Sequence, residues 1–147
     1  MANELELVFG TQKTLEANGA SIANNAIGQA DDATYGVVAD GGNYPHARFV
    51  IAAAFGTAPT ENSILALYAR PLNIDGTNDA DAPETTRGVV FIGSFVLNNV
   101  TTTQYLEIKA YDVPWEAEYY VHNSGSGQSL SAGWTLKVTP FSFAPGA

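Results

Sequence analysis

Short apolar runs of period two, joined by turns rich in glycine, asparagine and aspartate, restrict this chain to β-sheet. Leu5 to Phe9 sets Leu5, Leu7 and Phe9 against Glu4, Glu6 and Val8, the two-residue period of a half-buried strand. Arg48 to Phe55 repeats the pattern with Phe49, Ile51, Ala53 and Phe55 on one face and Val50, Ala52 and Ala54 on the other, so both faces are expected to be covered. Further strands are expected over Ser63 to Arg70, Gly88 to Leu97, Gln104 to Tyr111, Glu116 to His122 and Trp134 to Phe143. In Gln104 to Tyr111 the pattern turns Leu106, Ile108 and Ala110 inward and Glu107 and Lys109 outward.

The connections carry residues that turn a chain for identifiable reasons: glycine accepts positive φ, and Asn or Asp caps its own backbone. Examples are Asp40-Gly41-Gly42-Asn43, Asp75-Gly76-Thr77-Asn78 and Ser124-Gly125-Ser126-Gly127. No long segment shows a helical stripe; the best candidate, Thr14 to Ala30, contains Gly19 and Gly28, which are unfavourable inside a helix by about 1 kcal/mol each. At 147 residues, one core is the expectation. The fold class read from the pattern is all-β: a single-domain β-sandwich, jelly-roll-like, with an extended or irregular N-terminal segment. Residues 1–44 are read as a first strand followed by an irregular arm, because 10–44 hold few large apolar side chains, and residues 45–147 as the sandwich; Thr14 to Ala30 is read as irregular or weakly paired strand, and the alternative to an arm ordered by another subunit or protein is a long loop wrapped on the same domain.

Charge excludes some partners. With 15 acidic and 6 basic residues the formal net charge is −9, and the basic residues are scattered singly, so neither nucleic acid nor an anionic membrane is an expected partner. There is no cysteine, hence no disulfide framework and no thiolate chemistry. The glutamates of the first ten residues do not read as a secretory signal, and the longest apolar runs fall far short of a membrane span, so a soluble protein made in the cytoplasm is expected.

Candidate chemistry is sparse. His46 and His122 stand apart from any serine, aspartate or glutamate in a nucleophile arrangement, and His122 reads as a strand-end residue. Asp75, Asp79, Asp81 and Glu84 offer oxygen ligands but not in the order of a calcium loop, so a solvated acidic loop is expected and no metal is assigned. Glu116 and Glu118 fall on one strand face about 7 Å apart, a spacing that ordinary exposed strands produce constantly. No catalytic residue and no cofactor is assigned, and the chain is not read as an enzyme.

The C-terminal third carries a resemblance. Tyr119-Tyr120-Val121-His122-Asn123, a Gly/Ser turn, Gln128-Ser129-Leu130-Ser131-Ala132-Gly133-Trp134 and a closing alternating strand resemble the ends of small virion proteins of tailed bacteriophages. Phe91-Ile92-Gly93-Ser94-Phe95-Val96 and Ser63-Ile64-Leu65-Ala66-Leu67-Tyr68 with the following Asp75-Gly76 loop are similar to that pattern as well. The resemblance implies a jelly-roll-like capsid decoration, or cement, protein. Such a protein sits on the outer surface of the virion capsid, is made in the host cytoplasm, and has the major capsid protein and its own copies, as a homotrimer, for partners. On that reading the trimer interface is expected on strand faces carrying Phe49, Ile51, Phe91 or Trp134, and the capsid contact on Leu5, Leu7 and Phe9. The alternative is a glycan- or receptor-binding module of a phage tail or head fibre, stacking sugar on Trp115, Tyr119 and Tyr120.

Overall fold

The computed structural model describes residues 5–37, 40, 44–73, 75–88 and 90–145. Nine strands follow in order: β1 (Leu5–Phe9), β2 (Lys13–Gly19), β3 (Ile27–Tyr35), β4 (His46–Ala53), β5 (Ile64–Pro71), β6 (Val90–Val96), β7 (Gln104–Ala110), β8 (Ala117–Ser124) and β9 (Trp134–Pro145). Among the described residues there is no helix. Glu4, the turn residues Gly41, Gly42 and Asn43, and Val89 of the expected Gly88 to Leu97 strand lie outside the described residues.

The strands form two antiparallel sheets. In the first, β9 pairs with β4 and β4 with β7, while β1 and β2 dock end to end along the other side of β9, opposite Phe141–Pro145 and Val138–Trp134 respectively. The second sheet runs β3, β8, β5, β6. With β1 and β2 counted as one column, the eight columns pair first with eighth, second with seventh, third with sixth and fourth with fifth. A long antiparallel hairpin of strands rolled on itself produces this order, which is the jelly roll.

The core lies between the sheets and is built from the inward phase of each strand. Phe49 and Ile51 of β4, Leu65 and Leu67 of β5, Tyr119 of β8 and Trp134 and Leu136 of β9 are among its fully buried side chains. Each such residue contributes roughly 1.5–3 kcal/mol of burial. Phe49 packs on Tyr35 and Tyr119, with ring centroids 6.4 and 5.1 Å away. The expected inward set on β7 is observed: Leu106, Ile108 and Ala110 face the core, and Glu107 and Lys109 face solvent.

Of the two N-terminal readings, the irregular arm is corrected. Where described, residues 10–44 are not an irregular arm: β2 and β3 are the edge columns of the two sheets, and Leu15, Ile22, Ala30 and Tyr35 enter the common core. The glycines that spoke against regular structure have a packing reason. A Cβ on Gly19 would sit 2.1 Å from the Trp134 ring, and one on Gly28 would sit 2.6 Å from Ile22, so large core side chains lie across bare backbone. On β2 few bulky residues are needed, because β9 supplies the indole.

The segment from Asn123 to Leu130 has a structural task. The Asn123 amide, fully buried, donates to the carbonyls of Ile22 and Gln128 at 3.1 and 2.7 Å, and Ser126 Oγ donates to Gln128 O at 2.7 Å. Leu130, also fully buried, bridges to both Ile22 and Phe55. The Asn, small-residue turn and Gln-x-Leu step together close one end of the sandwich.

Candidate functional site

With the core accounted for, the surface of greatest interest is the outer face of the first sheet. Register places its side chains in rungs across β9, β4 and β7: Phe141 beside His46, Thr139–Arg48–Lys109, Lys137–Val50–Glu107, and Thr135–Ala52–Tyr105. Opposed residues in an antiparallel pair share a face, so these rungs describe what the sheet offers to solvent.

One end of this face is apolar. Phe141 is covered there by an aromatic cluster, with centroids 6.2 Å to Phe9, 5.4 Å to His46, 5.9 Å to Tyr111 and 6.0 Å to Phe143. His46 is held by its Nδ1, which accepts from the Asp112 backbone N–H at 3.2 Å. Pairing between β4 and β9 begins at His46 and Phe141, so the ends of β1 and β9 continue as a two-stranded ribbon, Leu5 facing Pro145 and Leu7 facing Phe143. On that ribbon Leu5 is 70% exposed, Leu7 43%, Phe9 49% and Phe143 47%. Two paired strands are marginal alone in water, and a contiguous apolar patch of this kind marks a contact surface.

The other end is grooved and cationic. A depression of about 300 Å³ has Val50 and Ala52 for a floor and Arg48, Lys137, Tyr105 and Gln12 along its walls. A second, of about 320 Å³, continues it past Ala54, Thr103 and Ser131. Arg48 is bridged to Glu107 at 2.7 Å.

The remaining expected residues fall elsewhere. Phe49, Ile51 and Trp134 are corrected as interface residues: at 0, 0 and 2% exposure they have no surface to offer a second subunit. Both phases of β4 carry apolar side chains; the structure buries Phe49, Ile51 and Ala53, while Val50 and Ala52, expected to be covered as well, lie half-buried on the outer face. Of the four, Phe91 alone is exposed, on the outer face of the second sheet. A bulge pairs Leu67 with Gly93 but Tyr68 with Phe91, turning Phe91 out against Tyr68 at 5.6 Å. Leu5, Leu7 and Phe9 are exposed together on the ribbon face.

The sugar platform is not assembled. Tyr119 and Trp134 belong to the core, and the Trp134 indole donates to Ala20 O at 2.8 Å. Tyr120 is nearly covered and donates its hydroxyl to Glu118 at 3.1 Å, which leaves Trp115 exposed without them. Glu118 also pairs with Arg70 at 3.1 Å. Glu116 lies just before β8 and accepts from the Thr34 hydroxyl at 3.1 Å, so the two glutamates are separately engaged. His122 lies within β8, not at its end, near Tyr68 at 6.4 Å, and burial lowers its pKa so that the neutral ring is favoured.

In the acidic loop, Asp75 and Asp79 accept from the backbone N–H groups of Thr77 and Asn73, while Asp81 and Glu84 both pair with Arg87. The carboxylates that do converge are Glu16, Asp31 and Asp32, whose oxygens lie within 4.8 Å of one another at the edge where β2 meets β3. Glu16 accepts from the N–H groups of Asn18 and Asp31, and Asp32 from that of Ala17, so this group laces the edges of the two sheets. Fifteen positions of sequence separate Glu16 from Asp31, and only strand packing joins them.

No family model, characterised protein or solved structure matches the chain.

Proposed function

We propose that this chain is a structural protein of a phage virion, a head decoration or cement protein that binds the outside of the capsid and stabilises it as a homo-oligomer. The observation that carries the reading is the uncovered apolar ribbon of Leu5, Leu7, Phe9 and Phe143 on a jelly-roll sandwich. The resemblance in the C-terminal third supplies the class of partner, and jelly rolls are a common architecture of viral shells. The mechanism is mechanical: each bound copy adds interface across capsid subunits, and an oligomer multiplies weak contacts through high effective concentration. The acidic balance keeps a high-copy surface protein soluble.

Co-sedimentation with expanded empty capsids tests it. The wild-type chain is expected to pellet with the shells in a saturable way. The Leu7→Glu, Phe143→Glu double variant should lose binding by roughly 30-fold or more, as expected when buried anchors are removed from an interface. Its circular dichroism should be unchanged, since both side chains lie outside the core. A wild-type chain that stays in the supernatant at every capsid concentration would rule out the reading.

A further inference from the structure

We infer that the grooved, cationic part of the first sheet's outer face is where this chain binds a second copy of itself, and that it takes the acidic β2–β3 edge carrying Asp31 and Asp32. The inference deepens the oligomeric half of the proposed function and rests on it; it does not depend on the capsid.

Charge is the first argument. The chain has six lysines and arginines against fifteen carboxylates, yet the rungs of this face hold Arg48, Lys109 and Lys137 with Glu107 as their only acid. Arg48 stands directly opposite Lys109, a like-charge pair that destabilises an isolated sheet. Neither Lys109 nor Lys137 takes part in an ion pair among the described residues. A surface so arranged, on a molecule of net charge −9, suits a strongly acidic neighbour.

A copy of the same chain supplies that neighbour. Glu16, Asp31 and Asp32 form the only group of three converging carboxylates among the described residues, and no ion pair there neutralises them. The acids of the Asp75 loop are poorer mates, because Arg87 already holds Asp81 and Glu84. Asp31 and Asp32 are exposed, and the groove proposed to receive them from a second copy is lined by apolar Val50 and Ala52 and by Arg48 and Lys137.

Area is the second argument. Four columns spaced about 4.8 Å apart and some seven residues long present roughly 450 Å². The matching edge adds as much again, so one contact removes about 900 Å², the size of a weak, reversible interface. Face and edge are different patches, so each copy gives one and receives the other; such a head-to-tail contact makes a symmetric ring when its rotation closes and an open filament when it does not.

The test uses the full chain. Light-scattering mass at micromolar concentration is expected to give a multiple of 15.5 kDa that falls towards one chain as salt rises. A zero-length carboxyl-to-amine cross-linker should join Lys137 of one copy to Asp31 or Asp32 of another. Lys137→Glu and Asp31→Lys should each raise the dissociation constant by roughly tenfold or more, and combining them should recover most of the loss. Both positions are exposed, and circular dichroism checks that each variant is folded. A chain that is monomeric at all salt concentrations overturns the inference, and so does an oligomer that neither reversal weakens or that the double variant fails to restore. A monomer that still pellets with capsids overturns the inference and the oligomeric half of the proposed function, and leaves its capsid half in place. An oligomer with the predicted cross-link that ignores capsids keeps the inference and removes the capsid reading.

Discussion

Replacing Trp134 with alanine is expected to remove ~3–5 kcal/mol of stability, enough to unfold a domain of ordinary marginal stability at moderate temperature. Trp134 is 2% exposed, opens β9, and is among the largest fully buried side chains of the core. Its removal takes away the transfer free energy of the indole, leaves a cavity between the sheets, and strands the Ala20 carbonyl that accepts its N–H at 2.8 Å. The neighbouring backbone cannot close the gap. Gly19 lies so near the ring that a Cβ there would meet it at 2.1 Å, so β2 is already drawn against the indole. This contact gives a sharper test than the single variant. Gly19→Ala should be strongly destabilising alone but much less so in the Trp134→Ala background, where its methyl group enters vacated space. A coupling of about 1–3 kcal/mol between the two is expected from urea unfolding. Simple additivity would mean that the glycine serves the backbone and not the ring.

The same pair shows why the two halves of the chain differed in legibility. From Arg48 onward the core is supplied by the strands themselves, and their period of two is visible in Phe49, Ile51 and Ala53 or in Leu106, Ile108 and Ala110. Before that point the edge strands accept bulk from others. Gly19 lies under Trp134 and Gly28 under Ile22, so a segment that is ordered in the sandwich has the composition of a loop. Inside and outside were hard to assign on β4 for a related reason. Val50 and Ala52 are also apolar, and the phase was decided by Arg48, which must stay at the surface beside Glu107. The candidate surface was half legible. Leu5, Leu7 and Phe9 share a phase in the sequence, but Phe143 joins them only through the pairing of β1 with β9. The opposition of Arg48 and Lys109, and the meeting of Glu16 with Asp31 and Asp32, depend on pairing and packing between strands far apart in the chain.

Alkaline pH is expected to dismantle the sandwich from a different part of the core. Tyr35 and Tyr119 are both buried, with ring centroids 6.4 Å apart. Burial, with Asp40 nearby, pushes Tyr35 up to about 12. Burial also raises Tyr119, and the Tyr35 and Asp40 charges add to the effect. Asp40 is itself held in place by Lys13 at 2.7 Å and by the Gly36 N–H at 3.0 Å. Because the folded pKa values lie above the unfolded value near 10, the unfolded chain releases these protons first. Stability from the two groups is therefore complete below pH 10 and declines as pH rises towards 12. Each group contributes a slope of about 1.4 kcal/mol per pH unit, so the pair should remove roughly 3 kcal/mol per unit across that window. Urea midpoints measured from pH 8 to 11.5 would show the decline. Tyr119→Phe separates this cause from general charge repulsion. The Tyr119 hydroxyl is buried without a hydrogen-bond partner, so its removal should be neutral or stabilising at pH 7 while halving the alkaline slope. A Tyr119→Phe chain with the wild-type slope would place the alkaline loss in the accumulating net charge of the surface instead, because deprotonation of a buried phenol would then contribute nothing.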